Sequence, residues 1–392
     1  MVIPDVLRQV KSRWAAFHDI FIVSRKKWSV PEACDVLIYD TSGSEALMPY
    51  LERFKTGIVA VRGESINMYC MVFSLLDVDF WRGKLLKAYL DTYIKITSPK
   101  LCVTFIDNNP LFYSISGRFN GLKTLMWQNG VRDEWLPGLV DSTDYMVDYM
   151  LVFNRHIGAV YGRHIRGEVV CAGSLKNNHV ESGQEVLADT VLFISTYAPK
   201  PFGDVPLLVY ENEHKVYWSE FSESDRLVLG FLKNWCDSNN KKLMVAGCVL
   251  GDATTEREFY NEQLTGCDWE YFERRDIYST YKLIDSADIV ATIDSTMGYE
   301  AMSRGKKTGF FSCRGVSMRR NDRGFGWPAQ LSANGPFWTN DQDENQFHRV
   351  MNYLNEVGAK EWARISSSYA GELMEYDHGN RRFVALLAQV LD

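Results

Sequence analysis

From residue 35 onward, short apolar runs alternate with amphipathic segments of helical length. "DVLIYD" (35–40) precedes the helical "TSGSEALMPYLERF", and "TGIVAVRGE" (56–64) precedes a helical stretch over 66–98. "KLCVTFIDNN" (100–109), "LKTLMWQNG" (122–130), "YMLVFN" and "VVCAGS" carry the series to about residue 175. Strands that are apolar throughout, rather than at alternate positions, belong to a parallel sheet covered on both faces. Residues 175–190 are polar with little periodicity, which predicts a linker. A second series follows: "VLFISTYA" (191–198), a helix near 222–240, "KLMVAGCVLG" (242–251), "ADIVATID" (287–294) and "KTGFFSC" (307–313). Residues 315–345 read as a long structured loop and 343–392 as helix. The pattern predicts an α/β protein with two parallel sheets, in domains 1–180 and 181–370, whose carboxyl strand ends meet at a cleft. Residues 371–392 are expected to form a helix that can cross back to the first domain.

Composition narrows the class. A chain of 392 residues exceeds one ordinary core. Its 46% hydrophobic and 24% charged residues are those of a soluble globular protein, and a net charge of −7 argues against nucleic acid as a partner. The eight cysteines are scattered without a C-x-x-C pair, so buried reduced thiols in a cytoplasmic protein are expected. No window reaches the ~18 apolar residues of a membrane span. Residues 1–30, however, carry six Lys or Arg against two Asp, interleaved with Trp14, Phe17, Phe21 and Trp28. Such a segment can rest on an anionic inner-membrane surface or dock on the protein as a solvated helix.

Candidate chemistry gathers at strand ends. In "ATIDSTMGYEA", Ser295 and Thr296 stand where the helix cap belongs, and Gly298 lets an anion approach the first helical turn. Free amides and the helix dipole make this a candidate phosphate seat, with Glu300 one turn on as a ribose acceptor; an ordinary capped helix fits the same residues. Ser195 and Thr196 end another strand of the same half. In the first half, strand ends carry Glu45, Arg62, the run Asp107, Asn108, Asn109, and then Gln128, Asn129, Arg132 and Asp133. Arg suits an acidic or phosphorylated group, and Asn and Gln suit hydroxyls. The D-x-D of "LLDVDFW" and the pair His156 and His164 lack metal-ligand spacing, so no metal site is expected.

The strings "YDTSGSEALMPYL", "RGESIN", "TFIDNNPLFY", "WQNGVR", "GSLKNN", "DSTMGYEAMSRGKKTGFF" and "FGWPAQLSANGPFWTN" resemble a bacterial family of O-antigen and surface-carbohydrate biosynthesis proteins, similar in architecture to GT-B glycosyltransferases. The resemblance implies two Rossmann-like domains, a metal-independent transferase without a bound cofactor, and a nucleotide-sugar donor in the second domain. It places the donor phosphate at Ser295 and Thr296, the ribose at Glu300, and a glycan or lipid-linked acceptor on the first domain. The Ser-Thr turn is similar to that of transferases using CMP-activated ulosonic acids, whose sugar carboxylate would meet Arg62 or Arg132. Related Kdo transferases carry Glu-Asp-Gly where this chain has Gln128-Asn129-Gly130. The catalytic carboxylate then falls to Asp107, with Asp133 or Glu45 as alternatives. A UDP-sugar 2-epimerase and a non-catalytic glycan-binding subunit share the architecture and are the competing readings.

Overall fold

A computed structural model describes residues 24–132, 145–210 and 213–392. Two parallel sheets form the frame. The first runs in the order Thr56–Val59, Val36–Tyr39, Leu101–Thr104, Lys123–Trp127, Met146–Val152, Arg166–Cys171, every pair parallel. The second runs Trp269–Arg274, Lys242–Leu250, Leu187–Ile194, Ala287–Thr292, Lys307–Phe311, Trp338–Thr339, Asn334–Gly335, with only the last pair antiparallel. This is the α/β, GT-B-like arrangement of two Rossmann-like units. In each sheet the chain starts in the middle and reverses direction of travel once. The reversals fall beside Val36–Tyr39 in the first sheet and beside Leu187–Ile194 in the second, and such switch points open a crevice at the carboxyl strand ends.

Apolar runs on both faces explain why the strands are buried. In the first sheet Val36, Ile38, Leu101, Val103, Leu125 and Trp127 face one way. They pack on Ala46, Leu47 and Leu51 of helix Ser44–Leu51 and on Phe383, Leu386, Leu387 and Leu391 of helix Arg381–Leu391. The alternate residues Leu37, Tyr39, Cys102, Met126 and Met150 face Tyr89, Leu90 and Ile94 of helix Leu85–Thr97. The chain's last helix therefore covers the first sheet. The region read as one helical stretch over 66–98 is three helices, Met68–Ser74, Val78–Trp81 and Leu85–Thr97. The break follows from Asp77, whose carboxylate caps the second helix, and from Gly83 at φ 83°. Within 175–190, read as linker, lie helix Leu175–His179 and the start of strand Leu187–Ile194. All eight cysteines are free. Among the described residues no helix is long and apolar enough to cross a membrane.

Candidate functional site

The carboxyl strand ends of both sheets meet at a seam. Ser295 caps helix Thr296–Ser303, its hydroxyl accepting from the Met297 amide at 3.3 Å. The Thr296 hydroxyl accepts from the Val131 amide of the first lobe at 2.9 Å. Both residues are half-buried, and the nearby crevice between Arg132 and Tyr299 encloses only about 10 Å³. The turn therefore faces the opposite lobe, but it is closed against it.

Gly298 and Glu300 do work other than that expected of them. A Cβ on Gly298 would lie 2.4 Å from Thr292 Cγ2, so the glycine is required for the helix to press on the strand beneath it. Glu300 is 1% exposed; its carboxylate accepts from the Ser174 hydroxyl of the first lobe and from Tyr281 at 2.9 Å. It joins the lobes rather than presenting an oxygen to a ribose. Ser195 is likewise turned inward, donating to Glu256 at 2.5 Å and accepting from Tyr260 at 2.9 Å. Glu256 also takes the Cys248 and Val249 amides and the Tyr271 hydroxyl, so a buried carboxylate is fully satisfied within the second sheet. The Thr196 hydroxyl donates to Asp225 at 3.0 Å and accepts from Arg314 at 2.8 Å. Arg314 is caged by Asp225, Asp294 and the ring of Phe221, 4.0 Å away. Burial opposes its charge, but the two carboxylates outweigh burial and hold the guanidinium above its ordinary range.

In the first lobe, Asp107 is fully buried and its carboxylate is taken. Arg132 reaches both oxygens, one at 2.9 Å, and the Tyr161 hydroxyl reaches one of them. Burial raises the Tyr161 phenol well above its ordinary value, and the Asp107 charge adds to that. A nucleophile or base must touch the substrate, and this carboxylate is spent on positioning Arg132, which also donates to Asn129. Gln128 builds the turn, donating to the Gly130 carbonyl and accepting from the Phe153 amide, both at 2.9 Å. Asn109 caps helix Pro110–Tyr113 and Asn108 is exposed. Arg62 donates to Asp40 at 2.6 Å. Glu45 is exposed in the first turn of its helix, has no salt-bridge partner among the described residues, and acts electrostatically on Tyr278 of the second lobe. Asp133 lies outside the described residues, as does most of the basic N-terminal segment; Arg25–Lys27 forms a strand paired with Ser65–Asn67.

One residue at the seam escaped the sequence reading. Lys176 stands on helix Leu175–His179, which Ser174 caps. Its ammonium has no ion-pair partner among the described residues. Burial lowers its pKa from 10.5, Glu300 opposes the shift, and Arg274 of the second lobe adds to it. A partly desolvated lysine beside one carboxylate and a second cation leaves a net positive site suited to an anion. The signal was present in "GSLKNN", a capped helix start, but nothing local marks a lysine as buried. Among the described residues no cluster of three His, Cys, Asp or Glu side chains could hold a metal ion.

Solved structures share this architecture. The chain aligns with the Staphylococcus aureus MnaA–UDP structure at a TM-score of 0.52 and 11% identity, covering 94% of this chain and 98% of that one. It aligns with the Neisseria meningitidis UDP-GlcNAc 2-epimerase bound to UDP-GlcNAc at 0.51 and 9% identity, covering 90% and 99%. A glycosyltransferase from Rickettsia africae aligns at 0.49 and 10% identity over 94% and 99% of the two chains. Likeness at these identities is one of fold, and it rests on the first two of these structures. No curated protein matches the sequence. A family profile described as "putative O-antigen biosynthesis protein" matches residues 125–391, more than half of the chain, and the chain belongs to that family.

Proposed function

We propose that this chain is a glycosyltransferase of surface-glycan synthesis that takes its sugar from a nucleotide donor. The observation that carries the reading is the pair of Rossmann-like units whose strand ends face each other across the Val131–Thr296 contact, with Lys176 close to both Glu300 and Arg274 of the second lobe. The donor phosphate would lie between these cations and the amides that open helix Thr296–Ser303. Because the seam is closed at Thr296, the lobes must part there before a donor enters, which breaks the Val131–Thr296 hydrogen bond. We assign the donor to the CMP-activated ulosonic acids: such a molecule offers one phosphate and one sugar carboxylate, which two cations can match. Glu45, exposed and without an ion pair among the described residues, is the carboxylate we assign as base for the acceptor hydroxyl. The acceptor would be a glycan or lipid-linked glycan held on the first lobe.

The second reading, a nucleotide-sugar 2-epimerase, is favoured by the shared architecture with the Neisseria enzyme. Product analysis separates the two, since transfer needs an acceptor and epimerisation does not. A thermal-shift panel of CMP, CDP, UDP and GDP tests the donor. Ligand at about 100 times its Kd should stabilise the fold by roughly 2.7 kcal/mol. A rise with CMP alone supports the ulosonic donor, and a rise with UDP alone replaces it with a UDP-sugar. No rise with any nucleotide removes the transferase reading in favour of a non-catalytic glycan-binding subunit.

A further inference from the structure

The segment that breaks the expected 66–98 helix carries a second surface, independent of the nucleotide seam. Val72, Phe73, Leu76, Val78, Trp81 and Leu86 are all exposed, and Leu76 and Trp81 are exposed by 83% and 73%. They stand within one compact turn of chain spanning helices Met68–Ser74, Val78–Trp81 and the start of Leu85–Thr97. Single exposed apolar residues are ordinary, but seven large ones on one short segment, Leu75 included, are not. The segment is also held firmly from beneath. Trp81 donates its indole N–H to the Leu75 carbonyl at 2.9 Å, and Lys87 bridges Asp79 at 2.5 Å and Asp91 at 3.0 Å. Arg118 takes the other oxygen of Asp91 at 2.7 Å, and Asp77 lies 4.0 Å from Lys95.

Those contacts decide the sign of the local charge. The nearby carboxylates Asp77, Asp79 and Asp91 are each paired with a lysine or arginine, whereas Arg82 and Lys84 are exposed, act on Asp79 only at longer range, and form no ion pair among the described residues, which leaves the segment net positive. Apolar side chains at a surface, a tryptophan among them and an excess of exposed positive charge beside them match the interface of an anionic bilayer. A protein partner would call for carboxylates facing Arg82 and Lys84, and the apolar tip would have to find a matching groove. A cavity of about 1080 Å³ opens beside the patch, walled by Met71, Leu85, Leu86 and Tyr89 and rimmed by Lys84 and Arg166. It continues the apolar surface inward under a basic rim, the shape and charge that an aliphatic chain with an anionic head requires.

We propose that residues 72–86 form a membrane-docking platform, with Leu76 and Trp81 entering the headgroup boundary of an anionic bilayer and Arg82 and Lys84 lying against its phosphates. Vesicle flotation of the full chain tests it, using phosphatidylcholine alone and phosphatidylcholine with about 30% phosphatidylglycerol. The wild type should float with the anionic vesicles, and less so as salt rises. The double variant Leu76→Ser, Trp81→Ser should fall to background. Arg82→Gln with Lys84→Gln should weaken binding about tenfold or more, since each cation near the surface is worth roughly fivefold. All four positions are exposed, so unchanged thermal melting of both variants confirms that the fold is intact. Failure of the wild type to float, or full flotation of the Leu76→Ser, Trp81→Ser protein, overturns the proposal. So does light scattering that shows the patch substitutions splitting a dimer without changing flotation, which would make a second copy the occupant. None of these outcomes depends on which nucleotide the seam binds.

Discussion

At the scale of single residues, the two catalytic candidates among the described residues, Asp107 and Glu45, separate by their surroundings. Asp107→Asn leaves the Arg132 guanidinium buried without its counter-charge, and breaking a buried pair from one side costs roughly 3–5 kcal/mol. Urea denaturation of that variant should show the loss directly. Glu45→Gln touches no ion pair among the described residues, so its melting temperature should hold while turnover falls by about two to four orders of magnitude. A loss of activity with Asp107→Asn that tracks its loss of stability, set against a clean kinetic loss with Glu45→Gln, would support these roles. Lys176 supplies the pH dependence. Burial holds its pKa below 10.5, so an anion that needs the charged form binds more weakly as pH rises through that lowered value. In the free protein the sign is opposite: between the lowered value and 10.5 the unfolded chain binds more protons, and stability rises with pH. Nucleotide titrations across the alkaline range should show affinity falling where stability climbs.

At the scale of elements, helix Thr296–Ser303 and the strand before it were legible, because "ADIVATID" is apolar to its end and Ser295 is a strong cap. The role of Gly298 was not, since a glycine that admits an anion and one that admits a neighbouring strand look alike in sequence. Gly298→Ala drives a methyl against Thr292 and Phe310, and overpacking of this kind costs about 1–3 kcal/mol. Adding Thr292→Ser removes the Cγ2 atom while keeping the hydroxyl that accepts from the Ser295 amide. The double variant should regain most of the lost melting temperature; if it regains none, the close packing is not what the glycine serves. Strand Trp269–Arg274 was missed for a related reason: "WEYFER" sits at the edge of the sheet, half-exposed, and lacks the continuous apolar run of its neighbours. Helix Leu175–His179 was read as linker because four of its five residues are polar or charged, and their partners lie far along the chain.

At the scale of the whole molecule, the alternation of strand and helix announced two parallel sheets, but contacts between distant segments carried no local signal. The Leu373–Glu375 segment is tied to the first lobe by Asn154 donating to the Leu373 carbonyl at 2.7 Å and by the Glu375 amide donating to Phe153 at 3.0 Å. Beyond it, Phe383 meets Trp127 edge to face with ring centroids 4.9 Å apart. Burying Phe383, Leu386, Leu387 and Leu391 contributes about 6–12 kcal/mol as an upper bound. That is comparable to the entire stability of a typical domain. A chain ending at residue 376 should therefore lose the first lobe while the second sheet, which this helix does not cover, stays protected from hydrogen exchange. Equal protection of both lobes would contradict this division of the core. The proposed donor site belongs to this scale, since Lys176, Arg274 and the Thr296 turn come from three separate stretches of the chain.

The most direct measurement is calorimetric titration of CMP into the wild-type chain and into Lys176→Met. Saturable binding is expected of the wild type and at least a tenfold loss of the variant, whose melting temperature should equal or exceed that of the wild type because a desolvated charge has been removed. Equal affinity in the two proteins, or no binding by a folded wild type to CMP or to any other nucleotide of the panel, would contradict that expectation.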